Sequence, residues 1–353
     1  MTVVKRNGLA VFGWSVLGYN LLVIAWGAFV RASGSGAGCG RHWPLCNGEV
    51  VPQPRSIATV VEATHRATSG IALVAVVALM VWTLKVVPKG HRARRASILS
   101  MVFIMGEALI GAGLVLFELV AHDASMKRGL SMILHLGNTF LLLGALTVTA
   151  WTLTTEPRTK SEPARVAPRV EPRGWLRVVV TTTLMSVLFL GSSGAIAALG
   201  DTLFPAASLR EGLAQDLSPL AHVFLRLRVL HPFIALGTGV LVFVTASVVR
   251  ATSNVARTRL LARVVTMTFV AQFAVGLLNL SLLAPIAMQI VHLLMADAVW
   301  IALVLMAWEA LYSRVSRAPS VEPARDQRPI MSRNGPAPMS DVPPSTSNVD
   351  PVT

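Results

Sequence analysis

Eight apolar runs dominate this chain. They fall at about 9–30, 57–86, 97–120, 130–153, 176–199, 221–249, 261–283 and 286–312. A run of roughly 20 apolar residues is what a helix needs to cross the hydrocarbon core of a bilayer. In lipid each backbone N–H and C=O must be satisfied inside its own segment, which leaves the helix as the form for such runs. The fold class expected is therefore an all-α integral membrane protein with eight transmembrane helices. Charged residues are only 14% of the chain, against about 25% in a soluble domain. The net charge of +14 does not imply nucleic acid, because the basic residues are spread over short loops between apolar runs. The first run follows Lys5 and Arg6. It is long for a signal peptide, and its Gly-rich end leads into charged residues instead of a small-residue cleavage site, so it is expected to be a retained helix.

Lys and Arg distribution orients the spans. Lys85, Lys89, Arg92, Arg94 and Arg95 lie between spans two and three. Arg158, Lys160, Arg165, Arg169 and Arg173 lie between four and five, and Arg250, Arg257, Arg259 and Arg263 between six and seven. Lys5, Arg6, Arg314 and Arg317 join the same side, which the positive-inside rule makes cytoplasmic. Arg31, Arg41, Arg55, Lys127, Arg128 and Arg210 are the sparser set opposite. The expectation is a multi-pass protein of the plasma membrane with both termini in the cytoplasm.

A Pro- and charge-rich stretch at 155–174 divides the spans into an N-terminal half, 1–154, and a C-terminal half, 175–315. Four spans return the chain to its starting side. The halves are thus expected to be parallel repeats about an axis along the membrane normal, two pseudo-symmetric four-helix bundles. Residues 316–353 lack apolar periodicity and are expected to form a disordered cytoplasmic tail.

Each half carries a histidine in its second and fourth span: His65 and His135, then His231 and His292. All four fall toward the same side of the membrane. Imidazole inside hydrocarbon needs a partner. Two imidazoles on facing helices are what a bis-histidine haem requires. Polar helix contacts, copper or a proton path are the competing uses. Copper is weakened because no Met or Cys stands at ligand spacing. His91 is expected to be solvated in the basic inner loop, and His42 and His122 fall in outer loops; His222 opens span six, where it can cap the helix or contact the rim of a haem pocket.

Glu62, His65 and Arg66 share one helix face. A carboxylate one turn from an iron ligand can relay protons or stabilise charge, or it can simply pair with Arg66. Glu107 is a second intramembrane carboxylate, in span three, where Gln272 stands at the corresponding place of the other half. Arg66, Arg226 and Arg228 are candidates for carboxylate contacts such as haem propionates; snorkelling is the alternative for the last two. Cys39 and Cys46, the two cysteines, lie in a Gly-rich loop on the non-cytoplasmic side. A disulfide suits that compartment, as a structural staple or as a redox-active pair.

The loop Val30-Arg31-Ala32-Ser33-Gly34-Ser35-Gly36 and Trp43-Pro44-Leu45-Cys46, the Glu62-x-x-His65-Arg66 segment, and the order of His135, Gln272 to Asn279, and His292 resemble the haem A synthase family. The resemblance runs over about residues 8–312. It implies oxidation of the C8 methyl of haem O to a formyl group by successive hydroxylations, for cytochrome oxidase cofactor biogenesis. It implies that His65 and His135 bind the substrate haem O, that His231 and His292 bind a haem b cofactor, and that Glu62 is catalytic. It implies that Cys39 and Cys46 assist electron transfer or haem handling. The implied partners are a haem O synthase that delivers substrate, an electron-transfer protein and membrane lipid; a homo-oligomer is also compatible. A b-type electron-transfer cytochrome or a haem transporter are the other function classes that use such a chain.

Overall fold

The computed structural model describes residues 3–54, 56–156 and 174–312. Arg55, most of the expected linker (157–173) and the expected disordered tail (316–353) lie outside the described residues. The chain forms α1 (Val3–Ala32), α2 (Ile57–Val86), α3 (Arg92–Leu116), α4 (Met126–Thr155), α5 (Gly174–Leu203), α6 (Leu209–Leu217), α7 (Val223–Thr252), α8 (Ala256–Ser281) and α9 (Ile286–Tyr312). All except α6 are long and apolar enough to cross a membrane. Leu22, Val74, Leu109, Phe189, Phe233 and Met267 remain exposed on them, as lipid-facing positions should.

Side-chain caps set the helix starts. Ser56 accepts from the Thr59 N–H, Ser125 from that of Arg128, and His91 Nδ1 from that of Ala93. Each satisfies a backbone donor that the first turn leaves free. The third span accordingly begins at Arg92, five residues before the apolar run. Arg94 turns back to donate to the carbonyls of Leu84 and Val87 at the end of α2. Of the basic residues expected in a loop, Arg92, Arg94 and Arg95 form the first turn of α3, Lys85 lies in the last turn of α2 and Lys89 stays in the turn between them. In α6, Ser208 accepts from the Glu211 N–H while Glu211 accepts from the Ala207 N–H. This close relative of a capping box starts a short helix between the fifth and sixth apolar runs.

The long helices form two closed rings. In the first, α1 packs on α2, α2 on α3, α3 on α4, and α4 on α1. In the second, α5 packs on α7, α7 on α8, α8 on α9, and α9 on α5. Between them α4 lies on α9, with α4 against α5 and α1 against α9. Exchanging the two rings maps this contact pattern onto itself, as a twofold axis through the α4–α9 crossing would. The ends of α3 and α8 repeat in detail. The Leu119 N–H reaches the Leu114 carbonyl and that of Glu118 reaches Val115; at the same sequence offset, Ala284 reaches Asn279 and Leu283 reaches Leu280. This reciprocal closure satisfies the last carbonyls of each helix.

Trp300 of α9 donates to the carbonyl of Phe140 on α4 and stacks on its ring, with centroids 5.5 Å apart. Below, at the face where α1 begins and α9 ends, Arg92 lies over the rings of Trp308 and Tyr312, and Arg257 over Trp151. The first arginine belongs to the N-terminal ring and its aromatics to the other; the second pair has the reverse parentage. Glu309, buried, accepts from Trp151 Nε1 and from Arg257.

Two candidate bis-histidine sites

His231 stands on α7 and His292 on α9, within one ring of helices. Their imidazole centroids are 6.4 Å apart and their planes are nearly perpendicular, at 89°. A metal–imidazole bond is about 2 Å and a ring nitrogen lies roughly 1 Å from its ring centre, so two imidazoles across one iron have centres on the order of 6 Å apart. The pair therefore fits a haem iron. The His231 Nδ1 is 2.8 Å from the hydroxyl of Ser193 on α5. That contact orients the ring and leaves Nε2 as the ligating nitrogen. Glycines make room: a Cβ at Gly194 would come within 3.2 Å of His231 Cε1, and one at Gly276 within 2.8 Å of His292 Cε1. Gln272 Nε2 lies 3.4 Å from His292 Nε2.

The first ring repeats the glycine cradle. His65 on α2 lies against α1, where a Cβ on Gly27 would come within 2.9 Å of its Cε1. His65 stands on α2, Glu107 on α3 and His135 on α4, three successive helices packed in the same ring. Glu107 Oε2 is 3.0 Å from His135 Nδ1. The His65 Nδ1 and His292 Nδ1 are buried without a hydrogen-bond partner, which is unusual for native imidazole nitrogens. Among the described residues, no group of three or more His, Cys, Asp or Glu is placed to hold a metal ion. His231 and His292 come together as a pair, the ligand number that a bis-histidine haem iron takes from protein.

Over the first ring lies the loop after α1. Cys39 and Cys46 are joined in a disulfide. Gly38 rests directly on α2: a Cβ there would come within 2.3 Å of the Ala58 carbonyl carbon. Thr59 donates to the Gly38 carbonyl at 2.8 Å. Glu62, 3% exposed, accepts from the Cys39 N–H at 2.8 Å through Oε2 and from Arg66 through Oε1. Arg66 also donates to the carbonyls of His42 and Leu45. Both oxygens of Glu62 are thus committed, one to the disulfide loop and one to Arg66.

The three arginines considered for propionates all have protein partners. Arg66 is held as above. Arg226 donates to the Pro219 carbonyl. Arg228 pairs with Asp201 at 2.8 Å and with Asp216. Of the other histidines, His91 and His222 cap α3 and α7 through Nδ1, and His222 also contacts the Phe204 ring.

The family model described as "Cytochrome oxidase assembly protein" (COX15-CtaA) matches residues 10–304. The chain belongs to this family. The match spans both helical rings and all four histidines of the candidate sites. The chain is also 45% identical over 303 residues to a protohaem IX farnesyltransferase of Thermus thermophilus, covering 86% of this chain and 48% of that protein. It is 40% identical over 113 residues to the haem A synthase of Bacillus cereus (strain AH187), 32% of this chain and 36% of that one. The chain spans about half the length of the farnesyltransferase relative.

Several residues of this COX15-CtaA chain become visible only in three dimensions. Arg31, at the end of α1, donates to the Ala198 carbonyl and the Thr202 hydroxyl on α5 and to Gln289 on α9. It ties one ring to the other, although by position it reads as a loop cation. Ser193 beside His231 is one of many span serines. Asp297 on α9 is fully buried with neither carboxyl oxygen hydrogen-bonded. An acid in a last apolar span was itself a readable signal.

Proposed function

We propose that this chain is a haem A synthase of the plasma membrane, oxidising the C8 methyl of haem O to a formyl group by successive hydroxylations. The observation that carries the reading is the His231–His292 spacing, cradled by Gly194 and Gly276 and echoed around His65 in the first ring. In this reading the C-terminal half, 175–315, holds haem b between His231 and His292, and the N-terminal half, 1–154, holds haem O between His65 and His135. Haem b supplies single-electron transfer. The family and the names of the relatives support a haem substrate.

The protein's own residues would divide the work. Ser193 fixes the His231 ring, and Glu107 faces that of His135. Glu62 is an anchored carboxylate one turn from His65, suited to meet charge or a proton developing at the methyl carbon. The loop closed by Cys39–Cys46 covers this carboxylate and limits water near it. The propionates of a bound haem would compete with existing partners of Arg66, Arg226 and Arg228. Both termini lie in the cytoplasm, which puts the histidine pairs toward the outer leaflet. The partners are an electron-transfer protein and a haem O synthase. The Thermus relative carries a protohaem farnesyltransferase name on a chain about twice as long, which supports the latter.

The test is expression in a host that makes haem O and no haem A, followed by extraction and separation of the pigments. Haem A is the expected product. Retained haem b with unaltered haem O would instead make the protein a b-type cytochrome.

A further inference from the structure

The two rings differ in charge at one pair of corresponding positions. Glu107 on α3 and Gln272 on α8 occupy the same place in the repeat, four residues before Gly111 and Gly276 and ten before the helix-ending residues Phe117 and Leu282. Each faces the histidine of the following span, Glu107 at Nδ1 of His135 and Gln272 at Nε2 of His292. Gln272 is neutral, and its Oε1 is buried without a partner. Glu107 is built into a network. Its Oε1 accepts from Asn138 Nδ2 at 2.6 Å and from the Thr139 hydroxyl at 3.1 Å. Asn138 also donates to the Phe103 carbonyl at 2.8 Å. Gly106 leaves the space for this amide, since a Cβ there would come within 2.7 Å of Asn138 Oδ1. The network aims Oε2 at His135 Nδ1, 3.0 Å away. The ring N–H is not yet in line with the oxygen. A ring rotation, such as iron ligation through Nε2 would fix, completes the bond.

We infer that Glu107 is a positioning residue that makes the N-terminal iron site the harder of the two to reduce. This rests on the proposed haem sites. A carboxylate on the Nδ1 side fixes the tautomer and makes Nε2 a stronger donor. Its negative charge, at low dielectric, favours ferric over ferrous iron. Arg66, the residue after His65, is already paired with Glu62. Among the described residues, no Lys or Arg forms an ion pair with Glu107. The C-terminal site has an amide in the same place and lacks this bias. Electrons therefore settle on the haem at His231 and His292 in preference to the substrate haem.

The experiment is an anaerobic optical redox titration of the full-length protein purified from a host that makes haem O, with pigment extraction used to match the haem type carried, compared with Glu107→Gln and Gln272→Glu. Wild type is expected to give a lower-potential transition lost in His65→Ala and a higher one lost in His231→Ala. Glu107→Gln should move only the lower transition, upward, and should weaken haem retention there by about 10–100-fold. Gln272→Glu installs the carboxylate in the other ring and should move only the higher transition, downward. The second variant keeps the test decisive if the first fails to fold. Both transitions unmoved in either folded variant would overturn the role of Glu107. A wild-type protein with no transition dependent on His65 would overturn the proposed substrate site, and this inference with it.

Discussion

The backbone N–H of Cys39 donates to Glu62 Oε2 at 2.8 Å, joining the disulfide loop to the carboxylate beside His65. Because Arg66 takes the other oxygen, replacement by Gln must present an amide N–H₂ to one of two donors. Glu62→Gln is expected to fold and to keep its C-terminal haem b, with haem A yield falling by roughly tenfold or more, the usual scale for removing a charge-stabilising group. Pigment analysis measures both. Wild-type yield would reduce Glu62 to a clamp for the loop.

The disulfide closes a short loop, so its own stabilisation should be about 2 kcal/mol, the low end of the usual range. The isolated protein is expected to show no alkylated thiol by mass spectrometry until it is reduced. A Cys39→Ser, Cys46→Ser double variant should keep the haem b spectrum. If its haem A yield recovers at lower temperature, the pair is a staple; if it does not, the thiols take part in redox chemistry.

Removing a ligand should act by half. His231→Ala or His292→Ala should lose bound haem b. His65→Ala or His135→Ala should leave it and impair oxidation of haem O. Haem content and the reduced-minus-oxidised spectrum decide, and loss of all haem b in His65→Ala alone would reverse the assignment.

Helical Gly→Ala usually stabilises by about 1 kcal/mol. At Gly276 the added carbon would lie 2.8 Å from His292 Cε1, so Gly276→Ala should weaken or spectrally shift the C-terminal haem. Gly18 has no such neighbour within 4 Å, and Gly18→Ala should leave the spectrum untouched. Equal effects of the two would remove the cradle from the account.

Tags placed at residue 1 and after residue 320 should both survive external protease in intact cells. External cleavage of either would invert the orientation drawn from the basic loops.

The spans were legible because length and apolarity alone force a helix in lipid. Their ends were less so. The start of α3 depends on His91 as a cap and on Arg94 folding back over α2, and neither follows from hydropathy. The α6 start had its signal in Ser208 and Glu211, short and polar enough to pass for loop. The four histidines could be paired by half from sequence position. What orients them could not: Ser193, Gly27 and Gly194 lie on other helices from the rings they touch. Arg31 illustrates the same limit, since its partners lie on α5 and α9. Glu107 was visible as an oddity against Gln272, but only the fold places it against His135.

The crossed pairs of Arg92 with Trp308 and Arg257 with Trp151 make the contact between the rings self-complementary. Each ring contributes one guanidinium and receives it on one indole. A surface of that kind is the signature of an isologous dimer, here carried within a single polypeptide. Its two copies of one plan are therefore free to diverge where the histidines sit, as Glu107 and Gln272 have, while the clasp keeps them in register.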